Sequence, residues 1–156
     1  MSYEGTDGKI SAVYQPASAT PGLGAGSMLF VARGAMTRRQ YGLFRRNLRP
    51  RAGGPDPHFH RTFSEAFYVL SGTVGLYDGR GWQDAEAGDF LYVPKGGIHA
   101  FRNDSDKPAS VLIVFAPGYA RERYFTELDA ISRSGRQLSD QEWTDLWARH
   151  DQFMVP

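Results

Sequence analysis

Residues 54–72 read GPDPHFHRTFSEAFYVLSG, and residues 88–103 read GDFLYVPKGGIHAFRN. Three of the chain's four histidines fall inside these two blocks. In the first, His58 and His60 are two apart, Glu65 follows five later, and Gly72 closes a run that reads as a strand. In the second, Gly88, Pro94, Gly96, His99 and Asn103 are spaced for a strand, a tight turn and another strand. Side chains two apart on a strand share a face, so His58 and His60 can present both imidazoles to one point. Glu65 lies an odd number of positions from His60, which on an unbroken strand sends it to the opposite face, so a bend within residues 61–64 is required. His99 then comes from a neighbouring strand, with the Pro94-Lys95-Gly96-Gly97 turn reversing the chain. A lone His-x-His pair is weak, because surface histidines two apart are common. Here the pair, the carboxylate, the later histidine, the proline and the glycines coincide, and the two blocks read as one metal site.

Cysteine is absent, so disulfides and thiolate ligands are excluded and any metal is held by nitrogen and oxygen. Three neutral imidazoles and a carboxylate suit one divalent transition metal: iron, manganese, nickel, cobalt, copper or zinc. An octahedral version leaves two coordination positions free for chemistry. Phe67 and Val69 share parity with Glu65, and Phe101 shares parity with His99, so all three are expected beside the metal. That apolar, aromatic lining suits an organic substrate with an unsaturated or aromatic portion better than a sugar phosphate. His150, alone on the apolar face of an expected helix, reads as a packed or half-exposed histidine and not a ligand. Asn103 is expected to secure a turn through its side chain.

Outward from these blocks, short runs rich in β-branched and aromatic residues alternate with turn residues. Strands are expected at 28–32, 40–48, 66–71, 73–77, 90–93, 99–103 and 110–115, with Asp78-Gly79 as a hairpin turn. So many short strands argue for a sandwich or barrel, and small barrels can hold one ligand. After Ala116-Pro117-Gly118 the period becomes helical. Tyr124, Phe125, Leu128 and Ile131 form one apolar stripe; Trp143, Leu146, Trp147 and His150 form another. Ser139 and Glu142 make a capping box for the second helix, and Gly135 is a stop for the first. Trp143 and Trp147 are read as core packing. The expected organisation is a flexible arm over 1–26, a β-barrel over 27–118 and a helical extension over 119–156, all one domain. GLGAG at 22–26 lacks the Lys-Ser/Thr pair of a phosphate loop and reads as a flexible connection.

Six arginines lie between Arg38 and Arg51. Alternation sends Arg45 and Arg46 to opposite faces, and Arg45 shares parity with Tyr41 and Leu43. The cluster reads first as a solvated strand edge that discourages aggregation, second as one Arg entering the barrel to orient a substrate carboxylate or enolate. In that second reading Tyr41 and Arg45 join the substrate pocket. Nucleic-acid binding is disfavoured, since the 156-residue chain carries a net charge of only +1 and no further basic face. No apolar run approaches the roughly 18 residues of a membrane span, and the first residues lack the pattern of a signal peptide. The chain is therefore read as soluble and cytoplasmic.

The two blocks, with the later FAPGYARERYFTEL, resemble the cupin superfamily, and within it the small bacterial cupins grouped with quercetin 2,3-dioxygenase. The resemblance implies an all-β, antiparallel cupin barrel (double-stranded β-helix or jelly roll) with two C-terminal α-helices. It implies His58, His60, Glu65 and His99 as metal ligands, with Glu65 also the catalytic base for a substrate hydroxyl. The implied activity is a dioxygenase acting on an enolic or phenolic, flavonol-like molecule. Alternatives are a cyclase or isomerase using the metal as a Lewis acid, and a non-catalytic binding module. Homodimers are common in such cupins, and the apolar patch at residues 12–14 is a candidate pairing segment.

Overall fold

A computed structural model describes residues 2–156; Met1, the first residue of the expected arm, lies outside the described residues. The strands are β1 (Gly22–Leu23), β2 (Met28–Ala32), β3 (Gly42–Leu48), β4 (His58–Phe59), β5 (Ser64–Ser71), β6 (Val74–Tyr77), β7 (Trp82–Ala85), β8 (Phe90–Val93), β9 (Ala100–Arg102), β10 (Ala109–Ala116) and β11 (Phe153–Met154). Two helices, α1 (Glu122–Ser134) and α2 (Asp140–Arg149), lie between β10 and β11. The larger sheet runs β1-β2-β3-β10-β5-β8, a smaller one runs β7-β6-β9, and β11 pairs with β4. Every pairing is antiparallel. This is a mostly β, cupin-type barrel with two C-terminal helices, as expected.

Alternation builds the core. On β10 the side chains of Val111, Ile113 and Phe115 are fully buried, and their partners on β3 and β5 include Phe44, Phe67 and Val69. The ring of Phe44 lies 4.9 Å from Phe30 and 5.1 Å from Phe115, the latter edge-on, as aromatic quadrupoles prefer. Each such burial contributes about 1.5–3 kcal/mol. The expected strands recur with end shifts of a few residues. β4 is the short strand that the shared face of His58 and His60 supposed, while β1, β7 and β11 have no counterpart among the expected ranges. β7 reads WQDA, with three exposed residues and too little apolar content to announce itself.

The arginine cluster sits differently from either expectation for Arg45. β3 is flanked by β2 and β10, so it is an interior strand and not an edge. Its inward phase is Phe44, Arg46 and Leu48, with Arg46 opposite the buried Val111. Arg45 faces outward, where its Nε donates to the side chains of Ser110 and Asn47. Tyr41 is 43% exposed and borders a separate surface depression with Ala32, Met36 and Gln40.

At the amino-terminal side, β1 pairs with β2 through the turn at Gly24–Gly26. Residues 12–14 join no strand among the described residues, and Val13 and Tyr14 are exposed. Helix α2 begins at the expected capping box, with Ser139 and Glu142 bonded reciprocally, and α1 ends at the left-handed Gly135. The expected core role of the two tryptophans is not what α2 shows. Leu146 is its buried residue, while Trp143 and Trp147 are half-buried, stacked 5.5 Å apart, and border a cavity. No helix is long and apolar enough to cross a membrane among the described residues.

Candidate metal centre

β4 carries His58 and leads through His60 into the bend at residues 61–62, and β5 then presents Glu65 inward. That bend is the one the parity of Glu65 required. His99 reaches the same place from just before β9: it forms a two-way backbone bridge with His58, N to O distances 3.1 and 3.0 Å. His58, His60, Glu65 and His99 are all buried, with one potential ligand atom from each lying within 4.8 Å of the others. The ring of Phe67 lies 5.8 Å from His99 and so borders the cluster; Phe101, 5.5 Å from Phe67, lines the same cavity as His58 and Glu65, and Val69 is fully buried farther along β5.

All three imidazoles are oriented in the same manner. Nδ1 of His58 lies 2.8 Å from the Asp56 carbonyl, Nδ1 of His60 2.6 Å from the Asp151 carbonyl, and Nδ1 of His99 3.1 Å from the Gly97 carbonyl. A carbonyl only accepts, so each Nδ1 carries the proton and each Nε2 offers a lone pair. Nε2 of His60 and His99 then face Oε2 of Glu65 at 3.1 and 2.7 Å. Lone pairs facing a carboxylate repel unless a cation stands between them. A divalent metal is such a cation, and backbone carbonyls behind ligand imidazoles are the usual means of fixing their tautomer. The donor set therefore fits a metal.

Electrostatics agree. Burial, then the neighbouring His99, pushes His58 down to about 3, so it stays neutral and ready to ligate. Burial opposes ionisation of Glu65, but the two imidazoles it faces, His60 and His99, outweigh it and hold the carboxyl well below its ordinary range. Burial likewise opposes protonation of His99, yet the hydrogen bond and charge of Glu65 outweigh it and raise it above the ordinary imidazole value.

The carboxy-terminal segment completes the site, a contribution the sequence did not announce. The Asp151 carboxylate accepts from the backbone N–H groups of Arg61 and Thr62 and from the Thr62 hydroxyl, while its carbonyl holds His60. Gln152 and Met154 follow, with Met154 paired to His58. A cavity of about 1220 Å³ opens from His58 and Glu65 past Phe101 and Arg121 to Trp143 and Trp147. Arg121, just before α1, is buried against it. Tyr41 borders another depression, away from the cluster; Arg45, exposed and bonded to Ser110 and Asn47, borders the outer reach of the same cavity as His58 and Glu65. His150 is no neighbour of the cluster either; its Nε2 bonds Glu127 at 2.6 Å.

Residues 44–115 match the family model described as "Cupin domain". A protein of Aquifex aeolicus described as uncharacterized is 35% identical over 63 residues, 40% of this chain; the chain spans about half (51%) of that relative. A Thermotoga maritima structure described as a predicted oxalate decarboxylase superposes with TM-score 0.54 at 21% identity, over 58% of this chain and 78% of that one. A Klebsiella pneumoniae protein with a double-stranded β-helix domain gives 0.53 at 20% identity, over 71% and 94%. A Silicibacter pomeroyi structure described as a cupin-superfamily sugar phosphate isomerase gives 0.50 at 26% identity, over 58% and 60%. The domain match and these likenesses support the cupin superfamily, and the chain has the cupin fold: a β-barrel around a buried His-His-Glu-His cluster able to bind a metal.

Proposed function

We propose that this protein is a metal-dependent dioxygenase that acts on a small enolic or phenolic molecule of the flavonol type. The observation that carries the reading is the convergence of three tautomer-fixed imidazoles on one buried carboxylate beside the aromatic rings of Phe67 and Phe101. Bound there by His58, His60, Glu65 and His99, a divalent transition metal supplies Lewis acidity to a substrate oxygen and a route for electrons to dioxygen. Glu65, kept ionised by its imidazole neighbours, accepts the hydroxyl proton and leaves the substrate electron-rich. Phe101 offers an apolar wall of the cavity to an unsaturated ring, with Phe67 packed behind it.

The test is oxygen uptake by fully metal-loaded protein across a panel of flavonols and related enols. Uptake that vanishes in Glu65→Ala is the expected result; no uptake anywhere in the panel refutes the dioxygenase reading. A second reading, a metal-dependent isomerase or cyclase working without oxygen, draws support from the likeness to the Silicibacter pomeroyi protein. Product formation by the zinc-loaded protein under anaerobic conditions distinguishes it. The exposed Val13 and Tyr14 support association as a homodimer, which sedimentation at working concentration tests. The cysteine-free composition supports a cytoplasmic setting.

A further inference from the structure

Arg121 is 5% exposed and forms no ion pair with a carboxylate among the described residues. Its Nη1 donates to the His150 carbonyl at 2.7 Å and its Nη2 to the Gln152 amide oxygen at 3.3 Å, while Nε has no partner. A guanidinium has five N–H groups and stays charged in proteins, so three donors and a full positive charge are left over. The group sits 4.3 Å over the Tyr124 ring, with Phe63, Phe115 and Phe125 within 5.7 Å, an aromatic cradle that fixes its plane. Cation–π contact offsets only part of the desolvation of a buried charge. Burial indeed lowers the Arg121 pKa, with the charge of Glu65 the foremost opposing influence.

Arg121 borders the same cavity as His58 and Glu65. With a divalent metal in place, the charges at the inner end are two positive from the metal, one negative from Glu65 and one positive from Arg121, while Arg45, Arg46 and Arg49 outnumber Asp56 and Asp129 along the rest of the cavity. The site is thus built to receive negative charge. We propose that Arg121 recognises a carboxylate on the substrate, so that the substrate is a small enolisable organic acid, its carboxylate on the guanidinium and its enol oxygen directed at the cluster. The inference rests on the metal-enzyme reading above and takes its enolic branch, with an acid in place of a flavonol. Planar, bidentate pairing with a carboxylate is what a guanidinium offers beyond a simple charge.

The experiment is equilibrium binding, under anaerobic conditions and without turnover, to protein loaded with one equivalent of Mn²⁺. The probes are phenylpyruvate and its methyl ester, which differ in the carboxylate alone. Wild-type protein is expected to bind the acid at least about tenfold more tightly than the ester. In Arg121→Met that preference shrinks to about twofold or less; in Arg121→Lys, which keeps the charge but not the fork, it is intermediate. Metal stoichiometry and circular dichroism establish that each variant is folded. Equal affinities for acid and ester in wild-type protein overturn the proposal, whether or not any variant folds. A preference that survives intact in Arg121→Met overturns it too, because the metal alone would then be holding the carboxylate. Binding is read separately from oxygen uptake, so a protein that discriminates acid from ester yet consumes no oxygen refutes the dioxygenase reading and spares this one.

Discussion

Acidifying the metal-free protein is expected to destabilise it chiefly through His58. In the folded chain this imidazole is pushed down to about 3 by burial and by His99, against an ordinary value of 6.5. The unfolded chain therefore takes up a proton that the folded chain refuses, and stability falls as pH drops from 6.5 toward 3. At pH 4.5 the unfolded histidine is fully protonated and the folded one barely so. Two pH units at about 1.4 kcal/mol each give a loss of roughly 3 kcal/mol. Glu65 acts in the same direction, but its depressed folded pKa costs stability only as pH falls below the ordinary carboxylate value of 4.5. His99 acts oppositely: its raised folded value contributes stability that is present below 6.5 and lost as pH rises through the folded value. The wild-type slope is the resultant, so the informative comparison is with His58→Gln, which removes one term. Denaturant unfolding of chelator-treated protein at pH 7 and pH 4.5 gives the two drops. The wild-type drop is expected to exceed the variant's by roughly 3 kcal/mol, or about 6–12 °C in melting temperature for a chain of this size. Equal drops, within about 1 kcal/mol, would mean that His58 is hydrated and that the buried cluster described above is wrong.

Asp151→Ala removes the acceptor for two backbone N–H groups and the Thr62 hydroxyl at the loop that carries His60. Metal affinity is expected to fall about 10- to 100-fold, measured by competition with a chromogenic chelator, with a stability loss of about 1–3 kcal/mol. Gly54→Ala places a Cβ 1.8 Å from the backbone oxygen of Phe101 on β9, so the loop that leads to His58 must shift. Its cost is expected to reach about 3 kcal/mol or more by thermal denaturation, while Gly53→Ala, with no atom within 4 Å, serves as the control and costs under about 1 kcal/mol.

Period-two logic reads a local object well, and the metal cluster is largely local. His58, His60, the forced bend, Glu65 and Phe67 lie within ten residues, and the strand pleat alone places them. The phase of β3 was harder, because both of its faces carry apolar side chains: Tyr41 and Leu43 on one, Phe44 and Leu48 on the other. Only the pairing of Arg46 with Val111 decides between them, and that contact spans the chain. The same limit hid Asp151, Gln152 and Arg121. Each reaches the barrel through the fold-back of the C-terminal helices, and no short-range period encodes that return. One signal was available: Arg121 precedes Tyr124 and Phe125 by three and four residues, which puts a charge in line with an apolar stripe at a helix start. A charge in such a place is either exposed by fraying or buried for a purpose, and the structure buries it beside the cavity. The division has a physical consequence. The ligands come from the barrel, whereas the loop clamp on His60 and the free guanidinium come from the last 36 residues, beyond the matched cupin segment. The C-terminal part thus serves both roles, holding His60 through Asp151 and offering Arg121 to the cavity, while all four ligands come from the barrel; substitutions at Arg121 are expected to alter which molecule binds while leaving those four ligands in place.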